Sequence, residues 1–240
     1  MIFKTHFEEL DSTSTHLKKN YLNYDNMTFV SASYQTNGHG RNNRKWYSNS
    51  HENLLFSILI KEQKLIEKYR DISLSSAVCV YQMLKELKIK DISIKWPNDV
   101  YVKDKKISGI LLESISEGEN INALVIGVGI NVNSTKFSKD ISQHTTSIKN
   151  ELNRDFALDK IANIVYSNFI KMFNKLKKDD RSYLEIVKNN NYLKGKEVYA
   201  IVENKKILVT VLDVNNDNTL KIKKGNESAN IESGEVTFNM

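Results

Sequence analysis

"IKWPNDVYVKDKKISGILLE", Ile94 to Glu113, carries the only proline of the 240-residue chain and one of its two tryptophans. Three strand candidates lie in and around it: "ISIKW", "DVYVK" and "KISGILLE". The last two are separated only by Asp104-Lys105, which predicts a hairpin. Pro97 fixes its own backbone angle and restricts Trp96, giving a rigid turn at a strand end from which Asn98 and Asp99 can be aimed. A plain structural turn is the alternative. Lys106 opens the third strand, and an ammonium on the inner side of a strand must find an anion or stay exposed. Gly109, three residues on, leaves room for something approaching the sheet.

Upstream, Ser12 to Tyr21 reads as a short helix capped by Asp11 or Ser12. "MTFVSAS" gives a strand over Thr28 to Ser33, and "NLLFSILI" a buried one. Between them runs a polar loop of about fifteen to twenty residues, longer than purely structural connections. Leu74, Ala77, Val78, Tyr81, Leu84 and Leu87 recur at helical spacing within Asp71 to Lys88. Downstream, "ALVIGVGINVN" is another buried strand, and Ile161, Ile164, Val165, Phe169, Met172, Phe173 and Leu176 mark a second long helix. From Asn189 to Asn191 the text changes to short alternating strands, "KEVYAIV", "KILVTVLD", "TLKIKK", "ESANI" and "EVTF". The expected organisation is an α+β domain over residues 1–189, with helices packed on a mixed sheet, and a small barrel over residues 190–240.

Composition narrows the function classes. With 40% hydrophobic residues the chain can bury a real core. The single cysteine, Cys79, sits in the apolar "SSAVCVYQML", so it forms no intrachain disulfide and reads as a buried thiol in a reducing compartment. The start "MIFKTHFEELDST" lacks the pattern of a secretory signal, and no run approaches a membrane span, so a cytoplasmic location is expected. The net charge of +6 comes from spread lysine in a chain rich in asparagine and isoleucine, a weak argument for nucleic acid. The five histidines show no metal-ligand spacing, and neither H-E-x-x-H nor G-x-S-x-G occurs. "GVGINVN", Gly127 to Asn133, lacks the full G-x-G-x-x-G and opens no helix, which rules against a dinucleotide fold.

The long loop concentrates rare residues. In "YQTNGHGRNNRKW" stand two of five arginines, two of nine glycines and the other tryptophan. Gly38 and Gly40 flank His39 and permit a sharp turn with exposed amides, while Arg41 and Arg44 offer planar forks for carboxylate or phosphate. Trp46 can stack on a base or close the loop over a ligand. A solvated basic loop is the plain alternative, but the scarcity of arginine elsewhere favours an anion site.

Four blocks in this order, "LDSTSTHL", "YQTNGHGRNNRKW", "IKWPNDVYVKDKKISGILLE" and "GVGINVN", closely resemble the biotin protein ligases, also called biotin-[acetyl-CoA-carboxylase] ligases. The similarity runs from about Asp11 through Asn133, K-W-P-N-D being its most diagnostic part, and the terminal "SGEVTF" resembles the family's small C-terminal barrel. The resemblance implies a class II synthetase-like catalytic fold with an SH3-like barrel. It implies that biotin is joined to the α-phosphate of ATP with release of pyrophosphate, Mg2+ assisting, and is then passed to a lysine of a carrier protein. That partner would be the biotin carboxyl carrier protein of acetyl-CoA carboxylase or of another biotin-dependent carboxylase.

Carried onto this chain, the resemblance places biotin against Ser12, Thr13, Ser14, Gln35, Gly38, His39, Gly40, Arg41, Lys106 and Gly109. It assigns the nucleotide to Arg41, Arg44, Trp46, Asn98, Asn131 and Asn133. Lys106, Arg41 and Asp99 become the catalytic candidates, Asp99 orienting or deprotonating the incoming lysine; Asn98, Asn131 and Asn133 are open to placing nucleotide or magnesium, and no residue is fixed as a metal ligand. Three positions depart from the family pattern. His39 replaces the first arginine of G-R-G-R, making that charge pH-dependent. Ser14 stands where many relatives have asparagine, and Asn239 where an arginine is common. Because the catalytic blocks begin at residue 11, the N-terminal winged helix-turn-helix of some relatives is not expected, nor is DNA binding. Homodimers are common in the family. The competing readings are a lipoate or octanoate ligase or transferase of the same fold, and a non-catalytic biotin-responsive regulator.

Overall fold

The computed structural model describes residues 4–202, 205–232 and 236–237. A seven-stranded mixed sheet is built from β1 (Lys4–Leu10), β2 (Phe29–Gln35), β3 (Asn53–Ile60), β4 (Ile92–Lys95), β5 (Asp99–Val102), β6 (Lys105–Glu117) and β7 (Asn120–Asn131). Its order is β1-β2-β3-β7-β6-β5-β4. Only β1 and β2 run parallel; the other neighbours are antiparallel.

The uninterrupted apolar run of β3 follows from its place: all eight residues are buried because both faces of the sheet are covered. Phe56, Ile58 and Ile60 join the large core under helices α3 (Tyr69–Glu86) and α5 (Leu158–Leu176). There the Phe29 and Phe56 rings stack with centroids 4.6 Å apart, and Phe169 meets Phe56 edge-on at 6.1 Å. On the other face Leu59 packs with Val30, Ala123, Val125 and Leu17, the last from helix α1 (Thr13–Asn20). Ser12 caps α1, its hydroxyl accepting from the Thr15 amide at 3.4 Å, while Asp11 accepts from the Ser12 amide at 2.7 Å.

Short helices α2 (Gln63–Ile66), α4 (Ile148–Leu152) and α6 (Tyr183–Asn189) complete this part. Edge strand β1 is an element that the sequence does not announce. "KTHFEEL" is mostly polar and leaves much of itself in solvent, so it carries little of the apolar signal that marks an inner strand. The hairpin expected in the K-W-P-N-D block forms between β5 and β6, with its turn one residue earlier, at Lys103-Asp104. Lys103 takes a positive φ of 55° there.

A second, antiparallel sheet follows: β8 (Glu197–Val202), β9 (Lys205–Val214), β10 (Leu220–Lys224), β11 (Glu227–Ile231) and β12 (Val236–Thr237), ordered β11-β10-β9-β8-β12. Of the terminal "SGEVTF" only Val236–Thr237 are described; Asn239 lies outside the described residues. The segment expected to separate the two parts is itself zipped onto the first sheet. The Ile94 amide donates to the Asn190 carbonyl at 2.8 Å and the Tyr192 amide to the Ile94 carbonyl at 3.0 Å, covering edge strand β4. Buried side chains of both sheets form one continuous cluster. Cys79 is fully buried, and burial pushes its thiol pKa well up, leaving it protonated. Among the described residues no helix is long and apolar enough to cross a membrane.

Candidate active site

Strand register creates the site. Across the sheet, Leu55, Gly129, Gly109, Asp99 and Lys95 are successive cross-strand partners, so they lie in one row on the face that also carries α1. A second row, Ser57, Gly127 and Leu111, lies two residues along the strands, roughly 7 Å away. The glycines make the floor of a cavity of about 280 Å³. Its lining includes Ser12, Thr13, Ser14, Gln35, His39, Gly40, Arg41, Arg44, Trp46, Asn98, Asp99, Lys106, Gly109 and Asn131, all of them candidates from the sequence. Gly38 and Asn133 do not line it.

One row faces hydroxyls. The Thr13 amide and hydroxyl donate to Gln35 Oε1 at 2.8 and 3.0 Å. Ser57 Oγ lies 2.7 Å from Thr13 Oγ1 and 2.9 Å from Ser14 Oγ. Ser57 is wholly buried, and a Cβ at Gly127 would overlap Ser14 Oγ. Gly38 acts from behind: a Cβ there would come within 2.8 Å of Gln35 Nε2. Ser57 escaped the sequence reading because it stands alone inside an apolar run; that lone buried hydroxyl was the available signal.

The other row is charged. Lys106 Nζ sits 2.7 Å from Asp99 Oδ1. Gly109, opposite Asp99, leaves the ammonium room to reach it, since a Cβ there would lie 3.0 Å from Lys106 Nζ. The Trp46 ring covers Gly129, where a Cβ would lie 2.5 Å from Cζ2, and Lys106 Nζ stands 5.6 Å from the ring centroid. Trp46 Nε1 is buried without a hydrogen-bond partner, a donor inside the cavity. Lys95, which the sequence reading quoted but did not assign, completes the row; burial lowers its pKa and Asp99 opposes that shift. Arg41, Arg44, Lys45, Lys95 and Lys106 thus line a cavity in which, among the described residues, Asp99 is the one carboxylate. Such a surface suits a polyanion.

The loop carrying the arginines is an ordered flap. His39 and Lys45 bridge its two arms, Trp46 N–H donates to the Gly38 carbonyl at 2.9 Å, and Gly40 N–H to the Arg44 carbonyl at 2.7 Å. Its tip is a single 3-10 turn, Arg41–Asn43, with Asn42 at φ 54°. His39 Nε2 stands 3.7 Å from Glu113 Oε2, and Glu113 Oε1 holds Lys18 Nζ at 2.5 Å. The three candidate asparagines differ. Asn98 donates to the Ile110 carbonyl at 2.6 Å and accepts, through its own carbonyl, from the Ile110 amide at 2.9 Å. Asn131 donates to the Thr146 carbonyl at 3.0 Å from the cavity wall. Asn133 has both ends of its amide engaged with the Phe156 backbone, at 2.8 and 2.9 Å, and clamps a loop.

The biotin/lipoate A/B protein ligase family matches residues 6–131. The bifunctional ligase/repressor BirA of Bacillus subtilis is 34% identical over 123 residues, 50% of this chain and 38% of that protein. The biotin--[acetyl-CoA-carboxylase] ligase of Paracoccus denitrificans is 30% identical over 124 residues, 51% of each. The chain therefore spans about half or less of these relatives. The solved biotin protein ligase of Aquifex aeolicus, in complex with biotin and ATP, superposes with a TM-score of 0.87 at 28% identity, covering 98% of this chain and 97% of that one. The mixed sheet with its helices and the small C-terminal sheet are thus those of a biotin protein ligase fold. Because the family match spans more than half of its residues and includes both rows of the cavity floor, the chain belongs to the biotin/lipoate A/B protein ligase family.

Proposed function

We propose that the chain is an ATP-dependent biotin–protein ligase. One observation carries this reading: a single cavity presents neutral hydroxyl and amide groups in one row and a cluster of cations around one carboxylate in the next. Thr13, Ser14 and Gln35, with Ser57 bracing the two hydroxyls from beneath, match the donors and acceptor of biotin's ureido ring, where an unpaired buried polar group costs about 1–3 kcal/mol. The cations match a carboxylate and a triphosphate that would otherwise repel each other. The biotin carboxylate oxygen attacks the α-phosphorus, the bond to the bridging oxygen breaks, and pyrophosphate leaves. Lys106, with Arg41 and Arg44 from the flap, offsets the charge that builds there.

In the second step a carrier lysine attacks the acyl carbon and AMP departs. A lysine amine with a pKa near 10.4 must lose a proton to act, and Asp99 is the group placed to orient the amine or accept that proton. The closed flap keeps water from the anhydride. Among the described residues no cluster of three His, Cys, Asp or Glu exists, and Asp99 pairs with Lys106. Magnesium enters in this reading as the companion of the ATP phosphates. The partner is the biotin carboxyl carrier domain of a carboxylase, and the setting is the cytoplasm, in keeping with the buried thiol.

Incubation with ATP, labelled biotin and a carrier domain tests the proposal. The expected result is label on the carrier, with pyrophosphate released in step. Transfer of lipoate in preference to biotin, or biotin binding without pyrophosphate, overturns it.

A further inference from the structure

We propose that Asn218, in the turn between β9 and β10, is a positioning residue for the Asp99–Lys106 pair and acts through the Trp96 indole. The inference rests on the ligase reading above. Trp96 is 3% exposed, lines the cavity and begins the turn that carries Asp99. Its Nε1–H donates to the Asn218 carbonyl at 2.8 Å. That carbonyl lies in the turn joining two strands of the second sheet, far along the chain, so a C-terminal turn holds one wall of the cavity.

Asn218 is itself locked by a buried polar hub. Its Nδ2 donates to Asp71 Oδ1 at 2.8 Å, and the Tyr183 hydroxyl lies 2.7 Å from Asn218 Oδ1 and 2.5 Å from Asp71 Oδ1. Arg181 donates to the same carboxylate oxygen from Nη2 at 2.5 Å and Nε at 3.0 Å. Burial first, and Asp71 next, push the Tyr183 pKa up, so the phenol keeps its proton as a donor. Asn218 takes a φ of 70°, a left-handed conformation that asparagine tolerates better than most residues.

The far side of the same turn is tied to the same helix. Ser73, two residues after Asp71 in the first turns of α3, donates its hydroxyl to the Pro97 carbonyl at 3.1 Å. Asn98 bonds Ile110 on β6, next to the Gly109 that faces Asp99. The Trp96–Asp99 turn is thus held by α3, by β6 and by the C-terminal sheet, and only the last hold runs through Asn218. A buried polar network of this kind favours one arrangement, the single Tyr183 proton being shared between two acceptors, and displacing a reacting group by about 1 Å can cost on the order of 100-fold in rate.

The test uses the full-length protein. Asn218→Asp sets a carboxylate against Asp71, and the double variant Asp71→Asn with Asn218→Asp restores one carboxylate and one amide in exchanged places. We expect Asn218→Asp to lower kcat for pyrophosphate release about 10- to 100-fold. The Kd for biotin rises far less than kcat falls, because the hydroxyl row is untouched and Lys106 is the one biotin contact that shifts, and the double variant recovers most of the rate. In a Trp46→Phe background Trp96 is the sole tryptophan, and iodide quenching of its emission rises with Asn218→Asp and falls back in the double variant. Tyr183→Phe, which removes only the hydroxyl, gives the same pattern more weakly and serves if Asn218→Asp does not fold.

Unchanged kcat and unchanged quenching in a folded variant overturn the inference. So does parallel loss of kcat and biotin affinity, or failure of the exchange to restore the rate. If the unaltered protein releases no pyrophosphate, the ligase reading fails, while the quenching series still reports whether Asn218 holds Trp96.

Discussion

At the scale of single residues, the site depends on what is small. Gly109 and Gly129 are adjacent across β6 and β7, and the missing side chains admit the Lys106 ammonium and the Trp46 ring to the sheet surface. Ser57 works in the opposite sense, as one hydroxyl in an apolar strand that links Thr13 and Ser14. Ser57→Ala removes the hydroxyl that Thr13 and Ser14 share, while Thr13 keeps its bond to Gln35. The expected outcome is biotin binding weakened about tenfold, ~1.4 kcal/mol, with the folding midpoint nearly unchanged; titration calorimetry and thermal melting check it. The glycines and arginines stood out in the sequence because they are rare. Ser57 did not, because its role comes from α1 crossing over β3, a contact between residues more than forty positions apart.

At the scale of elements, the flap is a small hairpin whose arms are tied by backbone bonds and whose His39 side chain faces Glu113 at 3.7 Å. Glu113 also holds Lys18, so flap, β6 and α1 meet at this carboxylate. An arginine at 39 keeps its charge at all working pH values and can pair with the carboxylate through two N–H groups. His39→Arg is therefore expected to slow release of the biotinyl adenylate about tenfold, which a chase of the trapped intermediate measures; an unchanged release rate refutes it. Element identity was largely legible: periodicity marked α3 and α5, and the apolar runs marked β3 and β7. Strand β1 was not, since a polar edge strand has no buried face to announce it.

At the scale of the whole molecule, the two sheets share one buried cluster, residues 190–192 complete the edge at β4, and the Asp71 hub joins α3, α6 and the turn between β9 and β10. A junction so extensively packed and hydrogen-bonded couples the two sheets through one shared cluster. Calorimetry is expected to show one cooperative unfolding transition, with calorimetric and van't Hoff enthalpies equal; two resolved transitions contradict this. The sequence by itself determined the fold class, the family and half of the residues that line the cavity, because periodicity, a rare-residue cluster and local motifs are written in neighbouring positions. The tertiary structure alone decided that Lys106 pairs with Asp99, that Ser57 joins the hydroxyl row, that Asn133 clamps a loop instead of lining the cavity, and that Asn218 supports Trp96. Each of these depends on strand register or on packing between distant segments. Register and packing are settled by the free energy of the whole core, which no local stretch of residues encodes.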